Sequence, residues 1–223
     1  MSQPEIVALV PMRHHSERVP GKNYRPLNGR PLYAYILDSL LLSEAVAHIV
    51  VDTDSPDIRE GIGRAFPSVT LLERPLELCG DSIPMNLVLL HDVQAVPAPL
   101  YLQTHSTNPL LSAGSIAAAV RAFRSAAPEH DSLFSVTRWQ KRLWDRSGKP
   151  LNHDPAVLLN TQDLPPLYEE NSCLYLFEHD GFLRRGNRIG ERPLMFEIPA
   201  SEALDIDEED DFRVVEARLV ARG

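Results

Sequence analysis

The chain has 223 residues, of which 43% are hydrophobic and 24% are charged, a composition typical of a soluble globular protein. This length is sufficient for one well-buried α/β domain with at most a small appendage. The net charge is −9, from 22 Lys and Arg against 31 Asp and Glu. Proteins that bind nucleic acids or anionic membranes need a basic surface, so this balance argues against both partners.

The cysteines and the N-terminal residues indicate a cytoplasmic protein. Cys79 and Cys173 lack the spacing of metal ligands, and so sparse a pair predicts small buried thiols rather than a disulfide framework. The first apolar run, 6–10, is too short for a membrane span. It has no basic residues before it, and a charged loop rather than a cleavage site follows it.

Short apolar runs alternate with helical patterns over the first part of the chain. Strands are predicted at 6–10, 47–52, 69–72, 100–103 and 132–137, and helices at 31–42, from Pro56 onward, at 84–96 and at 112–126. Ser55 is expected to cap the second helix, with Pro56 at its first position. Because parallel strands need crossover connections, the alternation predicts a mostly parallel sheet with helices on both faces.

The regular pattern breaks down over 138–166. Trp139 and Trp144 flank basic residues there, and prolines interrupt any regular element. The segment is either a projecting hairpin or arm used in subunit contact, or a long irregular connection, and of the two we expect the arm. Later strands are predicted at 172–177 and 195–198 and a closing helix at 207–221, all within one domain, 1–223.

The loop that follows the first strand is rich in cations. Arg13, Arg18 and Lys22 lie within ten residues, and Ser16 and Gly21 offer backbone amides at close range. In an open parallel sheet, ligands bind beyond the carboxyl ends of the strands. Arginine can bind phosphate oxygens in a fork and lysine acts as a mobile charge, so the loop predicts a phosphate site rather than a merely solvated loop. It is neither a Walker loop nor a dinucleotide fingerprint.

Two carboxylates near the C-terminus are spaced for a metal ion. Asp205 and Asp207 stand at i and i+2, which places them on the same side of an extended segment. Mg²⁺ typically takes one or two carboxylates and completes its shell with phosphates and water. Alternatively, Asp207 caps the last helix with Asp210 in its first turn, and the two roles are compatible.

Other polar residues leave alternatives open. Asp52 and Asp54 either form the turn before the second helix or act in the site. Arg74 either contacts a nucleotide phosphate or pairs with Asp81. We expect the adjacent histidines of the first loop, His14 and His15, to be solvated or to contact ligand.

The order of these motifs resembles that of a known enzyme family. Arg13, Ser16, Lys22 and Asn23, followed by 25–32, resemble the signature of the cytidylyltransferases that activate sialic acids. The segment 18–22 is similar to that of the sister enzymes that activate ketodeoxyoctulosonate, and both groups are CMP-sugar synthetases. The resemblance continues along nearly the full length through 52–55, Arg74-Pro75 with Asp81, Gln103, Asn171 with Tyr175, and 203–212.

The resemblance implies a Rossmann-like nucleotidyltransferase domain that transfers CMP from CTP to the anomeric hydroxyl of a 2-keto sugar acid and releases pyrophosphate. It implies a homodimer and a Mg²⁺ ion on Asp205 and Asp207. Catalytic roles fall to Arg13, Lys22 and Asp207, nucleotide binding to Pro11, Arg13, Ser16, Arg18, Lys22, Asn23, Arg74 and Asp81, and sugar binding to Gln103, Asn171 and Phe196.

This chain departs from the family pattern at three places. Glu17 stands where the sialate enzymes have lysine, His14 and His15 replace glycines, and the loop 104–111 is longer and lacks an arginine. These differences predict an unusual sugar acid. The alternatives are a nucleotidyltransferase for another sugar and a non-catalytic nucleotide-binding module. Glu17 favours the module, whereas the presence of both Asp205 and Asp207 opposes it.

Overall fold

The structure is a computed structural model that describes residues 5–80 and 82–222. In chain order its strands and α-helices are β1 (Ile6–Leu9), β2 (Pro26–Leu27), β3 (Arg30–Pro31), α1 (Leu32–Ser43), β4 (His48–Thr53), α2 (Pro56–Ala65), β5 (Thr70–Glu73), α3 (Met85–Ala95), β6 (Leu100–Thr104), α4 (Ala113–Ala126), β7 (Ser132–Trp139), β8 (Leu167–Glu178), α5 (His179–Arg185), β9 (Pro193–Glu197) and α6 (Glu209–Arg222). Short 3₁₀ helices occupy Lys22–Tyr24, Leu76–Leu78 and Thr161–Asp163.

Seven of the strands form one sheet in the order β5-β4-β1-β6-β8-β7-β9. Strand β1 pairs in parallel with β4 and β6, and β4 pairs in parallel with β5. Strand β8 is antiparallel to both β6 and β7, while β7 and β9 pair in parallel. The prediction of a mostly parallel sheet is therefore confirmed.

Helices cover both faces of the sheet, as the alternation predicted. One face packs against α1, α2 and α4 in a core that includes Ile36, Ile58 and Ile116. The opposite face packs against α3 and α5 through Leu89 and Phe182. We refer to these as the α4 face and the α3 face of the sheet.

Polar side chains begin two of the helices as expected. The Ser55 hydroxyl accepts a hydrogen bond from the Ile58 amide at 3.3 Å, with Pro56 at the first helical position of α2. The Ser112 hydroxyl accepts from the Ser115 amide at 3.1 Å at the start of α4. Each hydroxyl satisfies an amide that has no partner within its own helix.

The sheet differs from the sequence prediction around β8. The strand begins at Leu167 rather than near residue 172, and it runs antiparallel because it returns directly from β7 as a hairpin instead of crossing over through a helix. The short helix α5 that follows β8 was not predicted.

The segment predicted as an arm is the long connection of this β7–β8 hairpin. It contains an isolated bridge between Trp144 and Pro150 and several exposed apolar side chains. They are Trp144, Leu151, Val157, Leu158 and Leu159, of which Leu158 is 90% exposed. Strands β7 and β8 pair as antiparallel neighbours, and whether their connection is an arm used in subunit contact stays a prediction.

Two further sequence predictions can be compared with the described residues. Cys79 and Cys173 are both free, and Cys173 is buried. Within 5–80 and 82–222, no helix is long and apolar enough to cross a membrane.

Candidate active site

The first loop is held at the carboxyl end of β1 by contacts to two neighbouring strands. The Met12 amide donates to the Asp52 carbonyl at 2.8 Å, which extends the pairing of β1 with β4 past Leu9. Asn23 donates from Nδ2 to the Arg13 carbonyl at 2.7 Å and accepts at Oδ1 from the Ser106 hydroxyl at 2.7 Å. Asn23 therefore fastens the loop to the segment after β6.

Gly21 makes the turn that presents the lysine of this loop. Its φ of 65° lies in the left-handed region, where a side chain is strained. A Cβ there would also lie 3.0 Å from the Tyr24 ring. The Pro20-Gly21 corner thus ends the loop and starts the 3₁₀ helix that carries Lys22.

The cations of the first loop meet the acids of the last one. Arg18 donates to Asp207 Oδ1 at 2.7 Å and to Glu208 Oε1 at 3.0 Å. Lys22 Nζ donates to the Ile206 carbonyl and lies 3.7 Å from Asp207 Oδ1. Burial lowers the pKa of Lys22, and the charge of Arg13 lowers it further, so both cations face the same region.

The two aspartates of the last loop are arranged differently from a simple helix cap. Asp211 caps α6, because its Oδ2 accepts from the amides of Asp207 and Glu208 at 3.0 and 2.8 Å. Asp207 is half exposed and uses its carboxylate for Arg18 and Lys22. The carboxylates of Asp205 and Asp207 are therefore both left for the site.

Asp205 has the chemistry that a hard cation requires. Its Oδ1 is sealed from solvent and has no hydrogen-bond donor among the described residues, and burial raises the pKa of the carboxyl. A divalent cation would satisfy such an oxygen, and carboxylate oxygens are the ligands that Mg²⁺ prefers. The residues present therefore fit a Mg²⁺ ion.

The remaining residues predicted in this loop differ in accessibility. Pro11 is buried and Ser16 is half-buried. Glu17, the charge reversal relative to the sialate enzymes, is exposed. Its carboxylate is therefore screened by solvent rather than buried among the cations.

The two histidines of the loop have different surroundings, and the exposed His15 agrees with the expectation of a solvated side chain. His14 contacts the Ser55 hydroxyl through Nδ1 at 2.8 Å, and its ring stacks on Tyr24 with centroids 5.2 Å apart. The His14 amide also donates to Asp54 Oδ1 at 2.7 Å. His14 and Asp54 thus anchor the loop to the turn before α2, while His15 is exposed.

Arg74 is buried and paired with a residue that the sequence did not indicate. Its Nε donates to a carboxylate oxygen of Asp52, and its Nη2 contacts the Asp52 carbonyl at 3.4 Å. Asp52 therefore does more than form a turn. Asp81, the alternative partner and a predicted nucleotide-binding residue, lies outside the described residues.

A second buried carboxyl from α3 adjoins this pair. Asp92 is 1% exposed, and burial together with the charge of Asp52 raises its pKa to about 9. Asp52, His91 and Asp92 bring ligand atoms within 4.8 Å of one another. Because Arg74 can neutralise only one carboxylate, we interpret Asp92 as a protonated acid that donates to Asp52. An aspartate among the apolar positions of α3 was the signal that sequence reasoning missed.

The residues predicted to bind the sugar do not form one pocket. Gln103 at the end of β6 is fully buried. The Asn171 amide accepts from Ser135 at 2.5 Å and donates to Thr137 at 3.0 Å, so it joins β8 to β7. Phe196 packs on the α4 face.

The side chain that covers Gln103 is Arg188, which sequence reasoning missed. Arg188 lies between α5 and β9, and its Nη1 donates to Gln103 Oε1 at 2.5 Å. Its guanidinium carbon lies 3.6 Å from the centre of the Tyr175 ring. Tyr175 faces Gln103 directly across β8 and β6. The position of Arg188 so far along the chain gave no signal in the sequence.

A cavity of about 790 Å³ lies at the opposite end of the sheet. Its lining includes Pro97 and Leu100 before and at the start of β6, Phe123 at the end of α4, and His179 at the start of α5. None of the predicted site residues lines it, and ligands of open parallel sheets bind at the other end.

A cationic loop after the first strand, facing two carboxylates from the last loop across the carboxyl edge of a parallel sheet, defines the chain as a nucleotidyltransferase. Residues 7–213 match the cytidylyltransferase family, and the chain belongs to that family. The predictions of family, fold class and enzyme class are therefore confirmed.

Curated relatives are identical to the chain at about a quarter of the aligned positions. A post-translational flagellin modification protein B of Campylobacter coli is 26% identical over 95% of this chain and 94% of its own length. A CMP-N,N'-diacetyllegionaminic acid synthase of Legionella pneumophila is 29% identical over 95% of this chain and 94% of its own length. The N-acylneuraminate cytidylyltransferase A of Danio rerio is 25% identical over 98% of this chain, which spans 51% of that protein.

Solved structures share the fold. The structure of a CMP:2-keto-3-deoxy-manno-octonic acid synthetase complexed with CTP superposes with a TM-score of 0.74 at 15% identity, over 98% of this chain and all of the other. A 4-diphosphocytidyl-2C-methyl-D-erythritol synthase superposes with a TM-score of 0.71 at 16% identity, over the same shares.

Proposed function

We propose that the protein transfers CMP from CTP to the anomeric hydroxyl of a 2-keto sugar acid of the sialic-acid type and releases pyrophosphate. The observation that carries the proposal is the convergence of Arg18 and Lys22 with Asp205 and Asp207 at the carboxyl edge of the sheet. The relatives named as a legionaminic acid synthase and an N-acylneuraminate cytidylyltransferase support this class of acceptor.

The loop cations are suited to a triphosphate. Arg18 is paired with Asp207 and Glu208, and Lys22 lies 3.7 Å from Asp207 Oδ1. An incoming triphosphate competes for the same cations, and Arg13 adds a third positive charge to this region. Arg18 is exposed and can follow the phosphates, whereas the buried Lys22 keeps a fixed position.

The reaction needs alignment and charge neutralisation more than covalent chemistry. The sugar hydroxyl attacks the α-phosphorus of CTP while the bond to pyrophosphate breaks on the opposite side. Lys22 and Arg13 stabilise the charge that accumulates on the phosphate oxygens. The fixed loop holds the nucleotide so that the attack becomes effectively unimolecular.

Asp205 and Asp207 would hold Mg²⁺ in this site. When bound, the ion supplies positive charge to phosphate oxygens and lowers the pKa of a coordinated hydroxyl. Asp207, now paired with Arg18, would be available to the ion if Arg18 bound the triphosphate.

Arg74 is suited to orient the cytidine. Asp52 contacts both Nε and Nη2 of the buried Arg74, so the guanidinium is held in one orientation. Asp92 supports Asp52 from α3. A guanidinium held in one orientation can donate to oxygen acceptors in a defined geometry.

The test is pyrophosphate release from CTP with a panel of 2-keto sugar acids, using the wild-type protein and Asp207→Ala. We expect turnover with at least one acid and a loss of about 100-fold or more in the variant, as for removal of a key electrostatic group. Asp210→Ala, an exposed neighbour on α6, is the matched control and should keep full turnover. Unchanged turnover in Asp207→Ala would contradict the assignment of Asp207.

The same assay separates the two alternatives. The fold shared with the erythritol enzyme favours including sugar-alcohol phosphates as a second group of acceptors. Turnover with these alone would assign the protein to another sugar. CTP binding without turnover on any acceptor would favour the non-catalytic module.

We also propose that the protein is a cytoplasmic homodimer. The exposed apolar side chains of the β7–β8 connection support subunit contact, because soluble monomers rarely display such a group of large hydrophobic residues on one segment. The cytoplasmic location is supported by the free cysteines.

A further inference from the structure

Arg188 carries a charge that has no direct ion pair among the described residues; Glu170, whose charge acts on it, is hydrogen-bonded to the Tyr175 hydroxyl instead. Its guanidinium is half-buried between the Tyr175 ring and the Gln103 amide, and burial lowers its pKa. Among the described residues, no carboxylate lies within ion-pairing distance of it. Charged side chains are usually paired when they leave water, so this placement is costly without an anion.

Three residues behind Arg188 fix its orientation. His105 is half-buried, and desolvation together with the charge of Arg188 lowers its pKa to about 3, so its ring is neutral. The neutral Nε2 can accept a hydrogen bond from Gln103 Nε2 at 3.0 Å, which also donates to the Thr104 carbonyl. Gln103 Oε1 is then the atom that faces Arg188, as an acceptor should.

Most donors of Arg188 are available to a ligand. One of its five N–H groups is used by Gln103, and its other nitrogens are not sealed from solvent. Gln103 pairs with Leu9, the last residue of β1, so its contact with Arg188 lies at the edge of the sheet from which the triphosphate loop leaves. An anion bound there would lie beside the transferred group.

We propose that Arg188 is the residue that recognises the carboxylate of the acceptor, with Gln103 and Tyr175 as its positioning residues. This proposal rests on the proposed function and names the group of the substrate that selects it. A carboxylate fits better than a more highly charged phosphate, because a single guanidinium fork matches its charge and its two coplanar oxygens.

The test compares each accepted sugar acid with its methyl ester, using the wild type, Arg188→Gln and Arg188→Lys. We expect the wild type to prefer the acid in kcat/KM by about 10- to 150-fold, the range for a hydrogen bond to a charged group. The preference should fall close to unity in Arg188→Gln, with KM for CTP unchanged. Arg188→Lys should recover part of the preference for the acid over the ester. Arg184→Gln, an exposed change on α5, is the matched control.

Outcomes for this proposal and for the proposed function can be told apart. If the wild type turns over acids but Arg188→Gln keeps the acid-to-ester preference, the carboxylate assignment is wrong and the function stands. If sugar-alcohol phosphates are the acceptors that depend on Arg188, the bound anion is a phosphate. If no acceptor turns over, the thermal shift that the acids cause in the presence of CTP decides, because it should be absent in Arg188→Gln.

Discussion

The two aspartates of the last loop carry the same charge but differ in their exposure to solvent. Asp205 is partly enclosed and has a sealed oxygen, whereas Asp207 is half exposed and tied to two cations. The enclosed carboxylate gains more from a cation, since charge interactions strengthen as water is excluded. Asp205 is therefore the residue on which metal dependence should rest most heavily.

This difference predicts the behaviour of Asp205→Asn. The amide preserves the shape of the side chain but removes its charge, so the Mg²⁺ concentration needed for half-maximal turnover should rise by at least about tenfold. Titration of Mg²⁺ at saturating CTP measures it. Asp210→Asn, a change at an exposed residue of α6 that pairs with Arg213, serves as the control. An unchanged Mg²⁺ requirement in Asp205→Asn would falsify the ligand assignment.

At the scale of elements, α3 contacts β4 through two carboxyl groups, and Asp92 of α3 carries the proton between them. Asp92 has a folded pKa of about 9, far above its ordinary value, so the folded protein retains a proton that the unfolded chain has lost. Unfolding releases that proton at any pH between the ordinary pKa of an aspartate and the folded pKa of about 9. The free energy of unfolding therefore falls as pH rises through this range. The slope from one proton is at most about 1.4 kcal/mol per pH unit.

Asp92→Asn should flatten this dependence. The amide is neutral at every pH and can still donate to Asp52, so the variant should be more stable than the wild type at pH 8 and similar near pH 4. Thermal unfolding of both proteins from pH 4 to 9 measures the difference. Glu60→Gln, a change at a surface ion pair, should show the same pH dependence of stability as the wild type. A variant that loses stability equally at all pH values would show that Asp92 is ionised in the folded protein.

The same elements show what a sequence can and cannot predict. Apolar periodicity located the first five strands of the parallel sheet because each buried strand and helix face is encoded locally. The direction of β8 depends on its connection to β7, which local periodicity does not encode. Gln103 and Arg188 meet across 85 positions of the chain, and Asp52, Arg74 and Asp92 come from three separate elements. Such contacts are properties of the folded sheet.

At the scale of the whole molecule, the first and last loops close one site from opposite ends of the chain. The family resemblance implied that both loops serve one site, and the ion pairs of Arg18 and Lys22 join the two loops. Helix α6 is held to the same region by a bidentate contact of Arg25 with Glu209 at 2.6 and 2.7 Å. Loss of the C-terminal helix should therefore weaken the nucleotide site as well as the fold.

The apolar connection of the β7–β8 hairpin makes a prediction about assembly. Leu158 is 90% exposed, and burying such a side chain against a second copy would contribute about 1.5 to 3 kcal/mol at each of two equivalent positions. Leu158→Glu would place a charge at that contact and should shift the protein from dimer to monomer. Light scattering coupled to size-exclusion chromatography over a range of concentrations measures the mass. Leu42→Glu, a 75% exposed leucine at the end of α1, is the matched control and should leave the mass unchanged. A wild-type monomer, or a Leu158→Glu protein that keeps the dimer mass, would exclude this connection as the dimer contact.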